Sequence, residues 1–309
     1  MTGRRFPAGG PVGAVVPNSG PLPLRYGVPQ MARAVEAAGA ASLWVSDHVL
    51  MVDQPVTDYP YSADGRLTWD VADDYLEALT TCAFLAAATT SCLVGTAALV
   101  LPQRGVLQLA KEVATLDRLS GGRFVLGVGA GWNAAEMAAL GFDPTVRGRR
   151  FDEMLAVLAD AWSGRPRAVQ GDTLTVPPDV VLHPTPVDPQ GPPLLVGGMT
   201  RPAVRRAATA GDGWLALAFV ERWDAVALAA GLQRFRELRR AHSGDDGIAV
   251  LKLHCTPSDH AELAGRACEA LDMGFDHVAV EPPWSLGTAA AAEVVAEAVS
   301  AAGAAATAP

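Results

Sequence analysis

The chain has 309 residues, half of them hydrophobic, and a formal net charge of −9 at pH 7. This length suits one large barrel domain or two ordinary domains, and the apolar content supplies a sizeable core. The acidic balance argues against a nucleic-acid-binding protein, which presents a basic face. No apolar run reaches the roughly 18 residues of a membrane-spanning helix, and the N-terminus lacks the apolar segment of a signal peptide. We therefore expect a cytoplasmic protein with neither nucleic-acid nor membrane partners.

Apolar strand-like runs alternate with helical patterns along the whole chain. The predicted strands are 12–17, 42–46, 92–100, 123–130, 193–198, 213–218, 248–255 and 277–282. The predicted helices are 25–38, 73–88, 106–119, 149–162, 202–210, 221–241, 258–273 and one from about residue 288. A long loop, 50–70, follows the second strand, and a Pro-rich insertion with one small hairpin, 164–193, precedes the fifth.

The eight predicted units indicate the fold. Strands that are apolar almost throughout are typical of parallel strands buried on both faces, and eight alternating units close into a (β/α)8 TIM barrel. The alternative is a doubly wound open sheet, but the first strand is not followed by a dinucleotide-binding glycine fingerprint. We predict one domain over residues 1–309, with frayed ends at 1–10 and 303–309. The functional site of such a barrel lies at the carboxyl ends of its strands.

Asp47 and His48 directly follow the second strand, in the stretch SLWVSDHVL. Position at the barrel mouth favours a functional role, because an imidazole exchanges protons with a ligand near neutral pH. Asp47 alone could instead cap the following turn. We predict no metal, since no carboxylate or histidine cluster accompanies the pair.

Other strand ends carry small or polar residues. Asn18 follows the first strand, as a turn residue or a ligand contact. The fourth ends in GVGAGWN, which bares the backbone at alternate glycines. Gly197, Gly198 and Thr200 precede a helix that begins near Pro202, and such a turn is typical of an anion site. Aromatic residues in the loop after strand two favour a lid over an apolar pocket. The lid residues are Tyr59, Tyr61 and Trp69.

These stretches resemble the luciferase-like oxidoreductases, which comprise bacterial luciferase, FMN-dependent monooxygenases and coenzyme F420-dependent enzymes. The matching segments are SLWVSDHVL, YPYSADGRLTWD, LAAATTSCLVGTAALVLPQR, AKEVATLDRLSGGRFVLGVGAGWNAAEMAALG, RGRRFDEML and PPLLVGGMTRPAVRRAATAGDGWL. They cover most of residues 12–215, and the run through GVGAGW is most similar to the F420-dependent branch.

The resemblance implies a deazaflavin ring in the mouth of a dimeric barrel. It places a non-proline cis bond at Ala97–Ala98 in a bulge against which the ring rests. It makes His48 the catalytic histidine, with Asp47 beside it at the cofactor, and we predict that both residues are catalytic. The implied cofactor-binding residues are Asp47, Ala97, Ala98, Gly129, Ala130, Gly131, Asn133, Gly197, Gly198, Met199 and Thr200. The predicted substrate-pocket residues are Asn18, Tyr61, Trp69 and Trp132.

Departures from the family pattern limit what the resemblance implies. Sugar-phosphate-oxidising members carry a glutamate directly after the fourth-strand glycines, where this chain has Trp132, with Glu136 further on. Their phosphate-binding lysines have no clear match, and Lys252 is the one candidate. We therefore expect an F420-dependent oxidoreductase acting on a small molecule, with an FMNH2-dependent monooxygenase and a catalytically silent cofactor-binding barrel as alternatives. A homodimer is expected from the resemblance.

Overall fold

The chain forms a closed barrel of eight parallel strand positions surrounded by helices in a computed structural model. The structure describes residues 10–306 except 54–58, 63, 64, 68 and 257. The predicted frayed end at residues 1–9 and the last residues, 307–309, lie outside this part of the chain. The (β/α)8 prediction is confirmed.

The barrel strands lie close to their predicted positions. They are β1 (Val12–Val15), β2 (Ser42–Val45), β3 (Leu93–Thr96), β4 (Leu99–Val100), β5 (Phe124–Gly129), β8 (Leu194–Gly197), β9 (Gly213–Phe219), β10 (Ile248–His254) and β11 (His277–Val280), with β3 and β4 sharing one position. A separate antiparallel hairpin pairs β6 (Val169–Gln170) with β7 (Thr175–Val176), as predicted for the Pro-rich insertion. Parallel pairing of β1 with both β2 and β11, and of β3 with β5, closes the barrel.

Ten helices are present in the described residues. They are α1 (Leu22–Tyr26), α2 (Val28–Ala37), α3 (Ala78–Ala88), α4 (Val106–Ser120), α5 (Ala134–Ala139), α6 (Arg147–Ala161), α7 (Arg201–Ala210), α8 (Ala225–Ser243), α9 (Leu263–Asp272) and α10 (Thr288–Ala306). No helix in this part of the chain has the length and apolar character that crossing a membrane requires.

Two helix predictions need correction. The first helix is broken at Gly27, whose φ of 78° is outside the helical range, so that α1 and α2 replace one helix. Helix α3 begins at Ala78 rather than at residue 73, because the extended Glu77 caps it by accepting a hydrogen bond from the Thr80 amide. Helix α10 continues to Ala306, within the predicted frayed end at residues 303–309, and the fraying itself stays a prediction.

The third strand is interrupted where the bulge was predicted. The peptide bond Ala97–Ala98 is cis, and it separates β3 from β4. Both segments pair with β5, so the interruption sits within the barrel wall at its carboxyl end.

Apolar residues form two layers. One lies between strands and helices, and the other fills the barrel interior below the mouth. The interior layer consists of Val15, Trp44, Leu93, Ala97, Val125, Leu195, Leu215, Ile248, Val250 and Ala279. Because strand side chains alternate, residues 46, 252 and 281 continue these inward-facing positions toward the mouth.

Candidate active site

His48 lies at the end of β2 and is bound to a carboxylate from another unit of the barrel. Its Nδ1 lies 2.7 Å from Oε2 of Glu136, and the two residues are 7% and 1% exposed. An ionised carboxylate only accepts hydrogen bonds, so Nδ1 carries the proton and Nε2 becomes the nitrogen open to a ligand.

Both carboxylate oxygens of Glu136 accept hydrogen bonds from the protein. Its Oε1 accepts hydrogen bonds from the Val49 amide at 2.7 Å and from Gln103 Nε2 at 3.0 Å. Burial raises its pKa, but the hydrogen bond and attraction of His48, with the amides of Val49 and Leu50, outweigh burial and bring the pKa below its ordinary value. The carboxylate therefore stays ionised and orients the imidazole.

Helix α5 brings Glu136 to this position. Asn133 caps the helix by accepting a hydrogen bond from the Glu136 amide at 3.1 Å, which fixes the first turn. Sequence reasoning noted Glu136 but gave it no role, because a helix of six residues shows no periodicity. Asn133 was predicted to bind cofactor. That role stays a prediction, beside the capping role that the structure shows.

Asp47 lies beside His48 but faces the wall of the barrel. Its two carboxylate oxygens accept from Arg104 Nη2 at 2.6 Å and from the Val100 amide at 2.8 Å. The side chain is fully buried in this ion pair. Asp47 therefore ties the end of β2 to the segment after the cis bond, and its predicted catalytic role is not tested by this placement.

Aromatic rings enclose the imidazole. Trp69, Tyr75 and Trp132 surround His48 with ring centroids 5.9, 5.4 and 5.6 Å away. Tyr59 contacts both tryptophans edge-on, at 5.2 and 5.1 Å. The predicted pocket residues Trp69 and Trp132 thus meet at His48, and the described part of the lid loop covers it.

The lid also reaches the opposite rim. Tyr61 packs on Tyr59 at 5.3 Å, and its carbonyl oxygen accepts a hydrogen bond from Arg222 at 2.6 Å. Residues 54–58, 63, 64 and 68 of the predicted lid lie outside the described residues.

One half of the mouth has almost no side chains. Ala98 Cβ faces both Gly129 and Gly197, where a β-carbon added to each glycine would lie 3.6 and 3.3 Å from it. Among the described residues, apart from its two chain neighbours, a methyl group at Gly129 would meet no other atom within 4 Å, so packing in this part of the chain does not require glycine there. Gly131 differs, because its φ is 74° and a β-carbon would lie 2.5 Å from Val100. This bare wall, Ala97–Ala98, Gly129–Ala130 and Gly197, fits a flat ring.

The predicted phosphate turn leads into α7. Gly198 has a φ of 123°, and its carbonyl accepts a hydrogen bond from Trp214 Nε1. Thr200 is the N-cap and accepts from the Ala203 amide at 3.4 Å, while Met199 is 43% exposed. The turn lies at the end of β8, next to the bare wall, and its role as a phosphate site stays a prediction.

The other half of the mouth is charged. Lys252 and His254 come from β10, and Glu281 follows β11. His254 Nδ1 lies 2.5 Å from Glu281 Oε2, and the His254 ring stacks on Phe219 at 5.1 Å. Sequence reasoning missed His254 and Glu281, although their place at strand ends was a signal.

Asn18 links two loops at the mouth. Its side-chain nitrogen donates to the carbonyl oxygens of Ser46 at 2.9 Å and Leu76 at 2.8 Å, and the residue is 2% exposed. Both amide hydrogens are used within the protein, which assigns Asn18 a structural role. Its predicted substrate contact remains a prediction.

Known proteins match this chain in sequence. A family model described as luciferase-like monooxygenase matches residues 13–309. An uncharacterized protein of Mycobacterium tuberculosis is 32% identical over 185 residues, 60% of this chain and 63% of that protein. The F420-dependent glucose-6-phosphate dehydrogenase of Beutenbergia cavernae is 33% identical over 186 residues, 58% of this chain and 49% of that protein. The FMNH2-dependent dimethylsulfone monooxygenase of Pseudomonas putida is 32% identical over 144 residues, 46% and 39% of the two chains.

These relatives are matched over less than two thirds of their own length. A solved structure agrees over almost the whole chain. An F420-dependent secondary alcohol dehydrogenase in complex with an F420-acetone adduct has a TM-score of 0.73 at 17% identity, covering 94% of this chain and 99% of that one. At this identity the likeness concerns the fold.

Proposed function

This chain belongs to the luciferase-like monooxygenase family, and we propose that it is an F420-dependent oxidoreductase. In this proposal a hydride passes between C5 of the deazaflavin and a small organic substrate. Similarity to the F420-dependent glucose-6-phosphate dehydrogenase supports the choice of cofactor. So does the sequence around GVGAGW, which resembles the F420-dependent branch.

The observation that carries the proposal is the His48–Glu136 pair, which lies at the same mouth of the barrel as the bare wall. A carboxylate that fixes one imidazole nitrogen leaves the other to take or give a proton at a ligand. Hydride transfer to a carbonyl or an alkene needs such a proton at a neighbouring atom. His48 is the group that would handle it, and Glu136 is the residue that positions His48.

The other residues of the site would bind the cofactor and shield the reaction from water. Ala97, Ala98, Gly129 and Gly197 would hold the ring, and the turn at Gly198–Thr200 would bind a phosphate of the cofactor tail. The cofactor, once bound, supplies or accepts the hydride. Trp69, Trp132 and Tyr59 would exclude water and stack on an apolar, planar substrate.

An FMNH2-dependent monooxygenase is the second candidate. The observation that favours it is the similarity to the FMNH2-dependent dimethylsulfone monooxygenase. The bare wall fits either tricyclic ring, so geometry does not separate the two. In this alternative the aromatic lid would keep bulk water out of the site at which the bound flavin reacts with oxygen.

Titrating the purified protein with F420 and with FMN tests the choice. We expect F420 to bind with a micromolar Kd and FMN to bind at least about tenfold more weakly, a difference of about 1.4 kcal/mol. Quenching of the cofactor's fluorescence gives both constants. Micromolar FMN binding without F420 binding would reverse the choice, and binding of neither would refute an enzyme of either kind.

A further inference from the structure

Lys252 is a buried cation at the floor of the barrel mouth. The residue is only 7% exposed. Its Nζ donates to Ser46 Oγ at 2.8 Å and to the carbonyl oxygen of Ala97 at 3.1 Å. The second contact is the carbonyl of the cis peptide itself, so the ammonium group lies at the bulge.

Both of these contacts are neutral oxygens. In the described part of the chain no carboxylate forms an ion pair with Lys252, and the carboxylate that attracts it from a distance, Glu281, is paired with His254. Burial lowers the pKa of Lys252, and the attraction of Glu281 opposes this only in part. A buried charge without a contacting counter-ion is costly, and an anion that enters the mouth would remove that cost.

The residue type is itself informative. The chain has 24 basic residues, of which only Lys111 and Lys252 are lysines. Arginine remains charged in every protein environment, whereas lysine is a compact point charge that adjusts its protonation to its surroundings. A lysine at this buried position therefore suits a site where the negative charge of the bound ligand changes during the reaction.

We propose that Lys252 contacts the negative charge that the cofactor ring carries after two-electron reduction, and so binds the reduced ring more tightly than the oxidised ring. This inference rests on the proposed function, because it needs a flavin or deazaflavin ring against the bulge. Two N–H groups of the ammonium are used by Ser46 and Ala97, and the third remains for the ligand. A positive charge beside a redox ring favours its anionic reduced form.

The test compares the affinities of the two redox states. Lys252→Met removes the charge from a side chain of similar length, and Lys111→Met, at an exposed position of α4, is the matched control. Kd is measured for the oxidised and the reduced form of whichever cofactor, F420 or FMN, binds the wild type. We expect Lys252→Met to leave the oxidised Kd within about threefold and to raise the reduced Kd at least about tenfold, which lowers the midpoint potential by about 30 mV.

A second variant separates charge from hydrogen bonding. Lys252→Gln keeps a donor at this position without the charge, and we expect it to resemble Lys252→Met rather than the wild type. Retained affinity for the oxidised ring shows that the mouth of each variant is folded. Lys111→Met should match the wild type in both redox states.

Other outcomes would overturn the inference. Equal losses for both redox states would make Lys252 a support for the bulge. Unchanged cofactor constants with weaker binding of a carboxylate or phosphate substrate would assign the charge to the substrate. Failure of the proposed function looks different, because then the wild type itself binds neither F420 nor FMN.

Discussion

Strand β2 begins with Ser42 and is followed directly by Ser46, and the two serines have different surroundings. At the base of the barrel, Ser42 Oγ lies 2.5 Å from Trp44 Nε1 and 2.6 Å from His277 Nε2. All three side chains are fully buried, and burial lowers the pKa of His277 to about 3. This end is a neutral, closed hydrogen-bond network.

At the mouth, four residues further along the chain, Ser46 is half-buried and accepts a hydrogen bond from Lys252. The groups nearby are ionisable: Glu281 paired with His254, and Glu136 paired with His48. One fold thus has a neutral polar cluster where no ligand enters and a charged cluster at the functional end. The difference predicts that changes at the base alter stability, whereas changes at the mouth alter binding and turnover.

Replacing His48 should have the largest effect. We expect His48→Ala to lower kcat by about 10²- to 10⁴-fold, the usual contribution of a positioned acid or base, with the cofactor Kd within about threefold. Glu136→Gln should lower kcat by about 10- to 100-fold and leave KM nearly unchanged, because it acts through His48. Steady-state kinetics on a panel of small alcohols and ketones, with separate cofactor titrations, measure both.

The control for this pair lies at the base. Ser42→Ala is expected to reduce the free energy of unfolding and to leave kcat within about twofold. Full turnover in His48→Ala with cofactor bound would remove the proton-transfer role. A Glu136→Gln variant that loses cofactor binding along with kcat would make Glu136 structural instead.

Two glycines, one at the base and one at the mouth, give a matched test of the difference between the two ends of the barrel. At the base, an added β-carbon at Gly13 would lie 1.9 Å from Ser42 Oγ and 2.8 Å from His277 Nε2. Gly13→Ala should therefore lower the free energy of unfolding by about 3 kcal/mol. Gly129→Ala at the mouth should stay within about 0.5 kcal/mol of the wild type, yet weaken cofactor binding about tenfold, because the methyl group enters the space proposed for the ring.

Urea unfolding and cofactor titration of both variants measure the two effects. The contrast fails if Gly129→Ala is as destabilised as Gly13→Ala, since packing would then explain both glycines. It also fails if Gly129→Ala binds cofactor like the wild type.

The framework was predictable because barrel strands buried on both faces are continuous apolar runs. The position of the cis bond at Ala97–Ala98 followed from the resemblance. The pairings at the mouth did not, because they join residues far apart in sequence. Glu136 reaches His48 across 88 residues, from a helix too short to show a pattern.

The helix errors have local causes. Gly27 separates α1 from α2, but the apolar pattern continues on both sides of it and predicted a single helix. Helix α3 begins later than predicted because the side chain of Glu77 caps it. Asp47 was adjacent to His48 in sequence, yet alternation sends its side chain to Arg104 in the wall. Sequence adjacency suggested one role for both residues, whereas the structure shows different partners for each: Glu136 for His48 and Arg104 for Asp47.

The last prediction concerns the pH dependence of the base network. The pKa of His277 is about 3 in the folded protein and about 6.5 when unfolded. The unfolded state therefore binds a proton first as the pH falls, so the contribution of His277 to stability is complete above pH 6.5 and is lost between pH 6.5 and 3. From pH 7 to pH 5 this loss amounts to about 2 kcal/mol.

A His277→Gln variant isolates this contribution, because glutamine cannot take up the proton. Urea unfolding at pH 7 and pH 5 should show a decline in the free energy of unfolding that is about 2 kcal/mol smaller in the variant than in the wild type. Equal declines would mean that His277 is not held neutral, and the base would then resemble the mouth. The distinction between a closed neutral end and an open charged end of β2 depends on that difference.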